Sequence, residues 1–306
     1  MIFIGVDGGG TKTSCAAYRS GEQIASARSG PMNYNFIGID RAAENLLAGI
    51  RDLGIDKSEI AAVGIGDPSI DDCIAETEAS LSVKFVRRIF GELGVPVFVR
   101  SDAYITLFGL TGGTCPGVLM LSGTGAMGIA ENSNGEIRTS GGWGRLTGDE
   151  GSGYYIAVES IKAALHAADG IAPKTALTDA LLGYFGVKNV RGLIPLFYPE
   201  EGEADIAGFA RIAAECAEKG DETAGNILLG AADYLAKYTS SLIEWSDSRK
   251  VGIYGSVITE NSIVRTEYER LLREKYADIE ISPPPVSAEK AAAMYAEYKW
   301  LMEELF

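Results

Sequence analysis

Histidine is almost absent from this chain, because His166 is the single example among 306 residues. A multi-histidine metal site is therefore excluded, and a Ser/His triad is disfavoured because His166 lies inside a predicted helix. The four cysteines, Cys15, Cys73, Cys115 and Cys216, contain no C-x-x-C pair. An all-cysteine zinc or iron–sulfur site is thus disfavoured, and we expect four buried thiols in a reducing compartment.

Long apolar segments are also missing, since no stretch approaches the roughly 20 residues that a membrane-spanning helix requires. The first residues, MIFIGVDGGG, lack the basic start and extended apolar core of a signal peptide, and they predict a β-strand instead. We therefore expect a cytoplasmic protein.

Positive charge is scarce relative to negative charge. Lys and Arg total 27 against 42 for Asp and Glu, which gives a formal net charge of −15. Binding to nucleic acid or to an anionic membrane depends largely on a basic surface, so we expect neither partner. An anionic cofactor would have to bind through backbone N–H groups or through a metal ion.

The apolar pattern predicts an α/β protein made of two similar halves, each beginning with a strand, a glycine-rich loop and two further strands. The predicted strands are 2–7, 14–19, 23–28, 60–66, 95–99, 118–121, 126–130, 136–139 and 251–254. The predicted helices are 41–53, 72–90, 103–110, 154–168, 175–185, 206–219, 221–245, 262–275 and 287–305. The segment 111–114 is the expected junction between the halves.

The two glycine-rich loops are DGGGTKT, from Asp7, and SGTG, from Ser122. Each loop alone is explained by a tight hairpin turn, because glycine adopts positive φ easily. Together they favour phosphate binding, since such loops expose successive N–H groups and hydroxyls to an anion. The P-loop pattern is absent, and GTGAMG is rejected as a dinucleotide fingerprint because it continues into a hairpin rather than a helix.

Three carboxylates lie at predicted strand ends, the edge at which open α/β sheets bind ligands. Asp7 is interpreted as a turn residue or as a partner of Mg²⁺ that acts through water. Asp102 is interpreted as the N-cap of the next helix, as a residue that faces a ligand, or as both. Asp67, in GDPS, is a competing carboxylate.

The segment GGWGRLTGDEGSGYYI, residues 141–156, places Asp149 and Glu150 among six glycines. A carboxylate here would complement the dipole of the helix predicted from Tyr154. The glycines exceed what a helix cap needs, so we interpret the segment as a wall packed closely against a ligand.

These motifs resemble those of the N-acetylglucosamine kinases of the BadF/BadG/BcrA/BcrD-type ATPases, within the superfamily of sugar kinases, actin and heat-shock chaperones. The matching segments are DGGGTKT, GPMNYNFIG, GVLMLSGTG, GGWGRLTGDEGSGYYIA, GFARIAAECAEKGD and VGIYGSVIT. The resemblance implies two ribonuclease-H-like, actin-like ATPase domains with a cleft between them. Their expected bounds are 1–110 with the C-terminal helix at about 287–306, and 111–286.

The resemblance also implies site residues, with ATP and Mg²⁺ as cofactors. Asp102 is the expected catalytic base, and Asp7 the expected metal residue. The expected sugar contacts are Asn33, Asp102, Gly142, Trp143, Gly144 and Asp149. The expected nucleotide contacts are Gly9, Gly10, Thr11, Lys12, Thr13, Gly123, Thr124, Gly125, Gly220, Gly255 and Ser256.

The expected reaction transfers the γ-phosphoryl group of Mg-ATP to a sugar, with O6 of N-acetylglucosamine as the first choice. Glucosamine and N-acetylmuramic acid are the alternative acceptors. Two departures from the family pattern bear on the identity of the sugar: Ala126-Met127 after SGTG, and Asp67-Pro68.

Two other functions stay open. An ATPase activator of a radical reductase or dehydratase is disfavoured because the cysteines are scattered. A sugar-sensing or scaffold protein is disfavoured because Asp7, Asp102 and Asp149 are all present. The sequence does not fix the oligomeric state and leaves a homodimer open.

Overall fold

A computed structural model of the chain describes residues 1–74, 77–114, 116–198 and 205–304. Cys115, one of the four thiols considered above, lies outside the described residues. Each half begins with three successive strands and continues with helices and further strands, as the apolar pattern predicts.

Two sheets and their covering helices make up the fold. The strands are β1 (Ile2–Gly8), β2 (Thr13–Arg19), β3 (Glu22–Ser29), β4 (Ile60–Gly66), β5 (Val97–Arg100), β6 (Gly117–Ser122), β7 (Ala126–Glu131), β8 (Ile137–Gly141), β9 (Lys250–Tyr254) and β10 (Glu280–Ser282). The helices are α1 (Tyr34–Ile37), α2 (Ile39–Asp52), α3 (Leu81–Leu93), α4 (Asp102–Thr111), α5 (Gly153–Ala168), α6 (Leu177–Phe185), α7 (Ile194–Phe197), α8 (Phe209–Glu218), α9 (Glu222–Ser246), α10 (Ser256–Glu260), α11 (Ser262–Lys275) and α12 (Ala288–Glu304). Along the described ranges, no helix is both long and apolar enough to cross a membrane.

The two sheets have the same strand order. The first is β3-β2-β1-β4-β5 and the second is β8-β7-β6-β9-β10. In the first sheet β2 is antiparallel to β1 and β3, whereas β4 is parallel to β1 and β5. In the second sheet β9 is parallel to both β6 and β10. This repeated order is the ribonuclease-H-like arrangement, so the predicted fold class is confirmed.

Internal contacts divide the chain into two compact units. The first consists of Met1–Gly117, Ile129–Arg138 and Pro284–Phe306. The second consists of Val118–Gly128 and Thr139–Pro283. The domain bounds expected at 110 and 287 stay predictions.

The first unit has a core on each face of its sheet, because successive side chains of a strand point to opposite faces. Ile2, Ile4 and Val6 of β1 pack into the larger core with residues of α2 and α3. Phe3 joins a smaller core that contains Ala293 and other residues of α12. The alternation in the first strand therefore determines which helices cover each face.

Helix α12 packs directly on the backbone of β1 and β4. The approach depends on Gly5 and Gly64, because a Cβ at either position would overlap a carbonyl oxygen of α12, that of Glu289 or Ala292. Any side chain at these two glycines would therefore push the helix away from the sheet. The helix thus belongs to the first unit, although it follows the second unit in the sequence.

One predicted helix begins later than the sequence suggests. A helix was expected over 72–90, but α3 covers Leu81–Leu93. Asp72 instead forms an ion pair with Arg100, and Asp71 accepts a hydrogen bond from the backbone N–H two residues later. Such side-chain bonds compete with helix formation.

The expectation of four buried thiols is wrong for Cys73, which is exposed in this same loop. Cys15 and Cys216 are buried, as expected. Burial raises the pKa of Cys15 to about 12, so this thiol is unreactive at neutral pH.

Candidate active site

The first glycine-rich loop follows β1 directly and presents backbone to solvent. Its shape is fixed by the Gly9 N–H, which donates to the Lys12 carbonyl at 3.0 Å, and by the Met32 N–H, which donates to the Gly9 carbonyl at 3.1 Å. Thr11 and Lys12 are exposed, and no described atom lies within 4 Å of a Cβ built on Gly10. The loop is therefore open to an anion, as a phosphate loop must be.

Two residues near this loop are engaged within the protein. Thr13 is fully buried, and its hydroxyl donates to the Gly30 carbonyl at 2.8 Å. The expected nucleotide contact of Thr13 therefore has no support from its side chain. Asn33 is the N-cap of α1, since its side chain accepts a hydrogen bond from the Asn35 N–H at 3.1 Å.

Asp7 lies half-buried where β1 ends. The pKa of Asp7 is raised to about 6, mainly by burial; the charges of Glu289 and Asp102 contribute to the rise, and Lys12 opposes it. A nearby cation would favour the ionised form of such a carboxylate. Mg²⁺ binds proteins through one or two carboxylates while it keeps water and phosphate ligands, so Asp7 fits this ion. Among the described residues no group of three metal-ligating side chains occurs.

Asp102 is the first residue of α4, and Ser101 is the N-cap, because its hydroxyl oxygen accepts a hydrogen bond from the Tyr104 N–H at 2.9 Å. The interpretation of Asp102 as the N-cap is therefore wrong. Burial raises the pKa of Asp102, the Ala103 N–H opposes this with a 2.8 Å hydrogen bond, and the charge of Asp72 raises it. A carboxylate with a raised pKa at a strand end is a candidate proton acceptor.

Asp67 is the competing carboxylate, and it is completely buried. Its Oδ1 accepts a hydrogen bond from the Ser69 N–H at 2.8 Å. Burial raises the pKa of Asp67, while hydrogen bonds from Ser69 and from the Tyr34 hydroxyl lower it. Because it is enclosed, Asp67 is less suited than Asp102 to reach a substrate.

The second glycine-rich loop follows β6 and is joined to the start of α5. The Gly153 N–H donates to the Gly123 carbonyl at 2.8 Å, and the Tyr154 N–H donates to the Thr124 carbonyl at 3.2 Å. The N-terminus of α5 therefore lies beside the loop. Its partial positive charge and the loop N–H groups together favour an anion.

The glycines of residues 141–156 are explained mainly by contacts within the protein. Gly142 lies against the side chain of Met127, and Gly151 packs on Leu235 of α9, so neither position has room for a Cβ. At these two glycines the close approach is to protein groups, and contact of the segment with a ligand stays a prediction. Gly144 differs, because no described atom lies within 4 Å of a Cβ built there.

The carboxylate of Asp149 is hydrogen-bonded both to the end of the SGTG loop, at Ala126, and to Gly144 in the segment 141–156. Asp149 adopts a left-handed backbone conformation with φ of 59°, which is uncommon outside glycine. Burial raises its pKa, and the N–H groups of Ala126 and Gly144 lower it by hydrogen bonding to the carboxylate. The adjacent Glu150 accepts a hydrogen bond from the Tyr238 hydroxyl of α9. The expected sugar contact of Asp149 stays a prediction.

A cavity of about 630 Å³ opens beside this loop, within the second unit. Its lining includes Gly123, Thr124, Gly153, Ile156, Tyr184, Asp205, Ala207, Arg211, Glu215, Ser256 and Val257. The volume is typical of small-molecule sites, which occupy about 300–1,000 Å³. Sequence reasoning found the loop residues and Ser256 but missed Tyr184, Arg211 and Glu215, which α6 and α8 contribute.

A second cavity, of about 380 Å³, brings together three of the predicted residues: Thr124, Gly125 and Asp149. Arg145 and Tyr154 also line it, with the Arg145 guanidinium carbon 5.7 Å from the centre of the Tyr154 ring. Arg145 is therefore a cation beside the second loop that sequence reasoning missed.

The remaining predicted residues lie near these cavities or on the surface. Gly255, with φ of 98°, packs against the Ser122 carbonyl immediately before α10. Gly220, with φ of 94°, follows α8 and is not among the residues that line either cavity. Trp143 is 78% exposed, so it is accessible to a ligand.

Comparison with known proteins agrees with this arrangement. Residues 4–296 match the BadF/BadG/BcrA/BcrD ATPase family. A relative from Dictyostelium discoideum, named N-acetyl-D-glucosamine kinase, is 31% identical over 96% of this chain and 97% of its own length. Another from Clostridium acetobutylicum, named N-acetylmuramic acid/N-acetylglucosamine kinase, is 31% identical over 91% of this chain and 92% of its own.

A solved structure supports the fold independently. The crystal structure of a protein from Chromobacterium violaceum aligns with a TM-score of 0.72 and 23% identity, over 96% of this chain and 98% of that one. The family match over residues 4–296 and the 31% identical relatives confirm the resemblance predicted from the glycine-rich motifs. The chain belongs to the BadF/BadG/BcrA/BcrD ATPase family.

Proposed function

We propose that this chain transfers the γ-phosphoryl group of ATP to O6 of N-acetylglucosamine. The chain is a sugar kinase, since two relatives that match it almost end to end are both named as kinases of N-acetylglucosamine. The observation that carries the proposed chemistry is Asp102, a carboxylate with a raised pKa at the first residue of α4.

Asp102 accepts the proton of the attacking sugar hydroxyl in this proposal. Its Oδ1 is bonded to the Ala103 N–H, which leaves Oδ2 for the hydroxyl. A raised pKa brings the group nearer to the working pH, where a general base is most effective. Asp67 is too enclosed for the same task.

The glycine-rich loops bind the phosphates. Phosphoryl transfer depends mainly on positioning and on stabilising charge, which N–H groups and hydroxyls supply. Thr11 with Gly9 and Gly10 serves from the first unit, and Thr124 with Gly125 from the second. The nucleoside occupies the 630 Å³ cavity beside Ser256, with Gly220 and Gly255 as further predicted neighbours.

Asp7 holds Mg²⁺ through water in this proposal. When bound, the ion neutralises charge on the phosphates, which this acidic chain cannot do with a general positive field. Lys12 lies exposed in the same loop and adds one positive charge near the phosphates.

The sugar contacts Asn33, Asp149 and the Gly142-Trp143-Gly144 segment. Asp149 accepts the sugar hydroxyls while its carboxylate also holds backbone N–H groups. N-acetylmuramic acid is the second candidate acceptor, because the relative from Clostridium acetobutylicum is named as a kinase of that sugar as well as of N-acetylglucosamine. Glucosamine is the third.

The test is ADP release from Mg-ATP with a panel of sugars: N-acetylglucosamine, N-acetylmuramic acid, glucosamine and glucose. The matched control is 6-deoxy-N-acetylglucosamine, which lacks the proposed acceptor hydroxyl. We expect the highest kcat/KM with N-acetylglucosamine, no turnover with the 6-deoxy sugar, and a phosphate on O6 by NMR. ADP release that is independent of sugar would contradict the proposal and favour an ATPase activator.

A further inference from the structure

Asp72 is a buried carboxylate that the proposed reaction does not use. Its side chain is only 2% exposed, although it belongs to the loop between β4 and α3. Its partners are Arg100 and Ser101, the two residues directly before Asp102. One carboxylate oxygen accepts a hydrogen bond from Arg100 Nε at 2.7 Å, and the other accepts one from the Ser101 hydroxyl.

Ser101 links Asp72 to helix α4 through two hydrogen bonds of its hydroxyl group. Its single hydroxyl proton is donated to Asp72, so its oxygen lone pairs are oriented toward the helix. That oxygen accepts the hydrogen bond from the Tyr104 N–H that caps α4, at 2.9 Å. The start of the helix, and with it Asp102, is therefore fixed by a residue almost thirty positions earlier in the chain.

Arg100 is held on two sides. Besides its ion pair with Asp72, the guanidinium carbon lies 4.0 Å from the centre of the Tyr104 ring. The Tyr104 hydroxyl in turn donates to the buried Glu131 at 3.3 Å. Removing Arg100 would leave the buried charge of Asp72 uncompensated, so these contacts favour one backbone conformation between β5 and α4.

We propose that Asp72 is a positioning residue for Asp102, because it fixes the turn between β5 and α4 through its contacts with Arg100 and Ser101. The negative charge of Asp72 also acts on Asp102 electrostatically. This inference rests on the proposed function, in which Asp102 accepts the proton. A second carboxylate nearby favours the protonated form of the first, which makes Asp102 a stronger base.

Other charged groups also surround Asp102. Asp7, at the end of β1, and Asp67, at the end of β4, both interact electrostatically with it. Glu289 of α12 acts on Asp7. Asp72 is nevertheless the charged side chain that raises the pKa of Asp102 most. A change at Asp72 should therefore be visible in the pH dependence of turnover.

The experiment compares Asp72→Asn with Asp71→Asn in the full chain, with Mg-ATP and N-acetylglucosamine. Asp71 is the matched control, because the substitution removes the same charge one residue earlier at an exposed position. For Asp72→Asn we expect kcat to fall about tenfold while the KM for ATP changes less than about twofold.

The pH profile supplies a readout that a purely structural role would not move. Losing the Asp72 charge and leaving Arg100 unpaired both lower the pKa of Asp102. The acid limb of kcat should therefore move to lower pH by about 0.5 unit or more in Asp72→Asn. In Asp71→Asn the limb and kcat should match those of the unaltered chain.

A second pair of variants serves if Asp72→Asn does not fold, as thermal unfolding would reveal. Ser101→Ala removes the hydroxyl that joins Asp72 to α4, whereas Ser101→Thr keeps it. We expect kcat to fall about three- to tenfold in Ser101→Ala and to be restored in Ser101→Thr. Equal kcat in these two folded variants would overturn the inference.

Asp102→Asn, measured in parallel, separates the inference from the proposed function. If Asp102→Asn retains the turnover of the unaltered chain, the proposed base and the inference fall together. If Asp102→Asn is inactive while Asp72→Asn equals Asp71→Asn in kcat and acid limb, the inference is overturned and the proposed function stands.

Discussion

The two units share one strand order but place different chemistry at corresponding positions. In the first unit the ends of β1, β4 and β5 carry Asp7, Asp67 and Asp102, and burial raises the pKa of each. In the second unit β6 and β9 end in glycine-rich backbone beside cavities that are lined by Arg145 and Arg211. In the proposed function, the acidic strand ends of the first unit serve proton transfer and cation binding, and the loops beside the cavities of the second unit serve anion binding.

These proposed roles predict that substitutions in the two units have different kinetic effects. Changes to the strand ends of the first unit should act mainly on turnover and its pH dependence. Changes to the loops of the second unit should act mainly on the affinity for nucleotide.

Asp102→Asn should have the largest effect, a fall in kcat of about 10²–10⁴-fold, because a positioned general base contributes that much. Folding should survive, since the N-cap of α4 is Ser101 rather than Asp102. Steady-state kinetics at saturating sugar and thermal unfolding measure the two effects. Near-normal turnover in a folded variant would contradict the proposal that Asp102, in the first unit, accepts the proton.

Gly255→Ala should raise the KM for ATP by about tenfold or more with a smaller effect on kcat. A Cβ at this position would overlap the Ser122 carbonyl, and φ of 98° disfavours any side chain. The strain would distort the wall of the larger cavity.

The matched control for this substitution is Gly225→Ala in α9, where no described atom lies within 4 Å of the added Cβ. Alanine is favoured over glycine in a helix, so the control should gain up to about 1 kcal/mol of stability and keep its KM for ATP. A fall in kcat at unchanged KM for Gly255→Ala would break the comparison between the units.

Divalent cation should be essential, and its apparent affinity should depend on pH. Asp7 has a pKa of about 6, so it takes up a proton below that pH and loses the charge that attracts the cation. The Mg²⁺ concentration for half-maximal turnover should then rise by about tenfold per pH unit. Titrations of Mg²⁺ at several pH values measure this, and turnover that is unaffected by excess EDTA would refute it.

Asp7→Asn should have the smallest of these effects, a gain in stability in the absence of Mg²⁺. The folded pKa of about 6 lies above the unfolded value of 3.8, so the ionised carboxylate destabilises the folded chain above about pH 6. The amide removes this cost, and Tm should rise by about 3 °C near pH 7.5. The gain should fade as the pH falls toward 4, and a gain that is constant with pH would contradict the electrostatic cause.

Much of the fold was predictable because local patterns determine it. The bounds of β4 and α11 agree with the structure residue for residue, since β-branched runs and helical spacing are local signals. The glycine-rich loops were also found, because glycine clusters mark turns wherever they occur. The repeated order strand, loop, strand, strand then indicated two halves with one topology.

The parts that were missed depend on contacts between residues distant in the sequence. Asp72 forms an ion pair with Arg100 where the first turn of a helix was expected, and α3 begins at Leu81. No local sequence pattern predicts this ion pair. Arg211 and Tyr184 lie on separate helices and meet only at the cavity wall. The glycines of residues 141–156 show the same limit, because sequence reveals close approach but not whether a ligand or a protein group approaches.

The position of α12 in the sequence has a consequence for the order in which the two units fold. The strands β1 and β4 emerge from the ribosome before the second unit, but the helix that packs on Gly5 and Gly64 is synthesised after it. The second unit is complete by Pro283, so it is free to fold cotranslationally while one face of the first sheet stays uncovered. During that interval Phe3 and its neighbours are exposed to chaperones and to aggregation, and closure of the first unit is expected to be the late step of biogenesis.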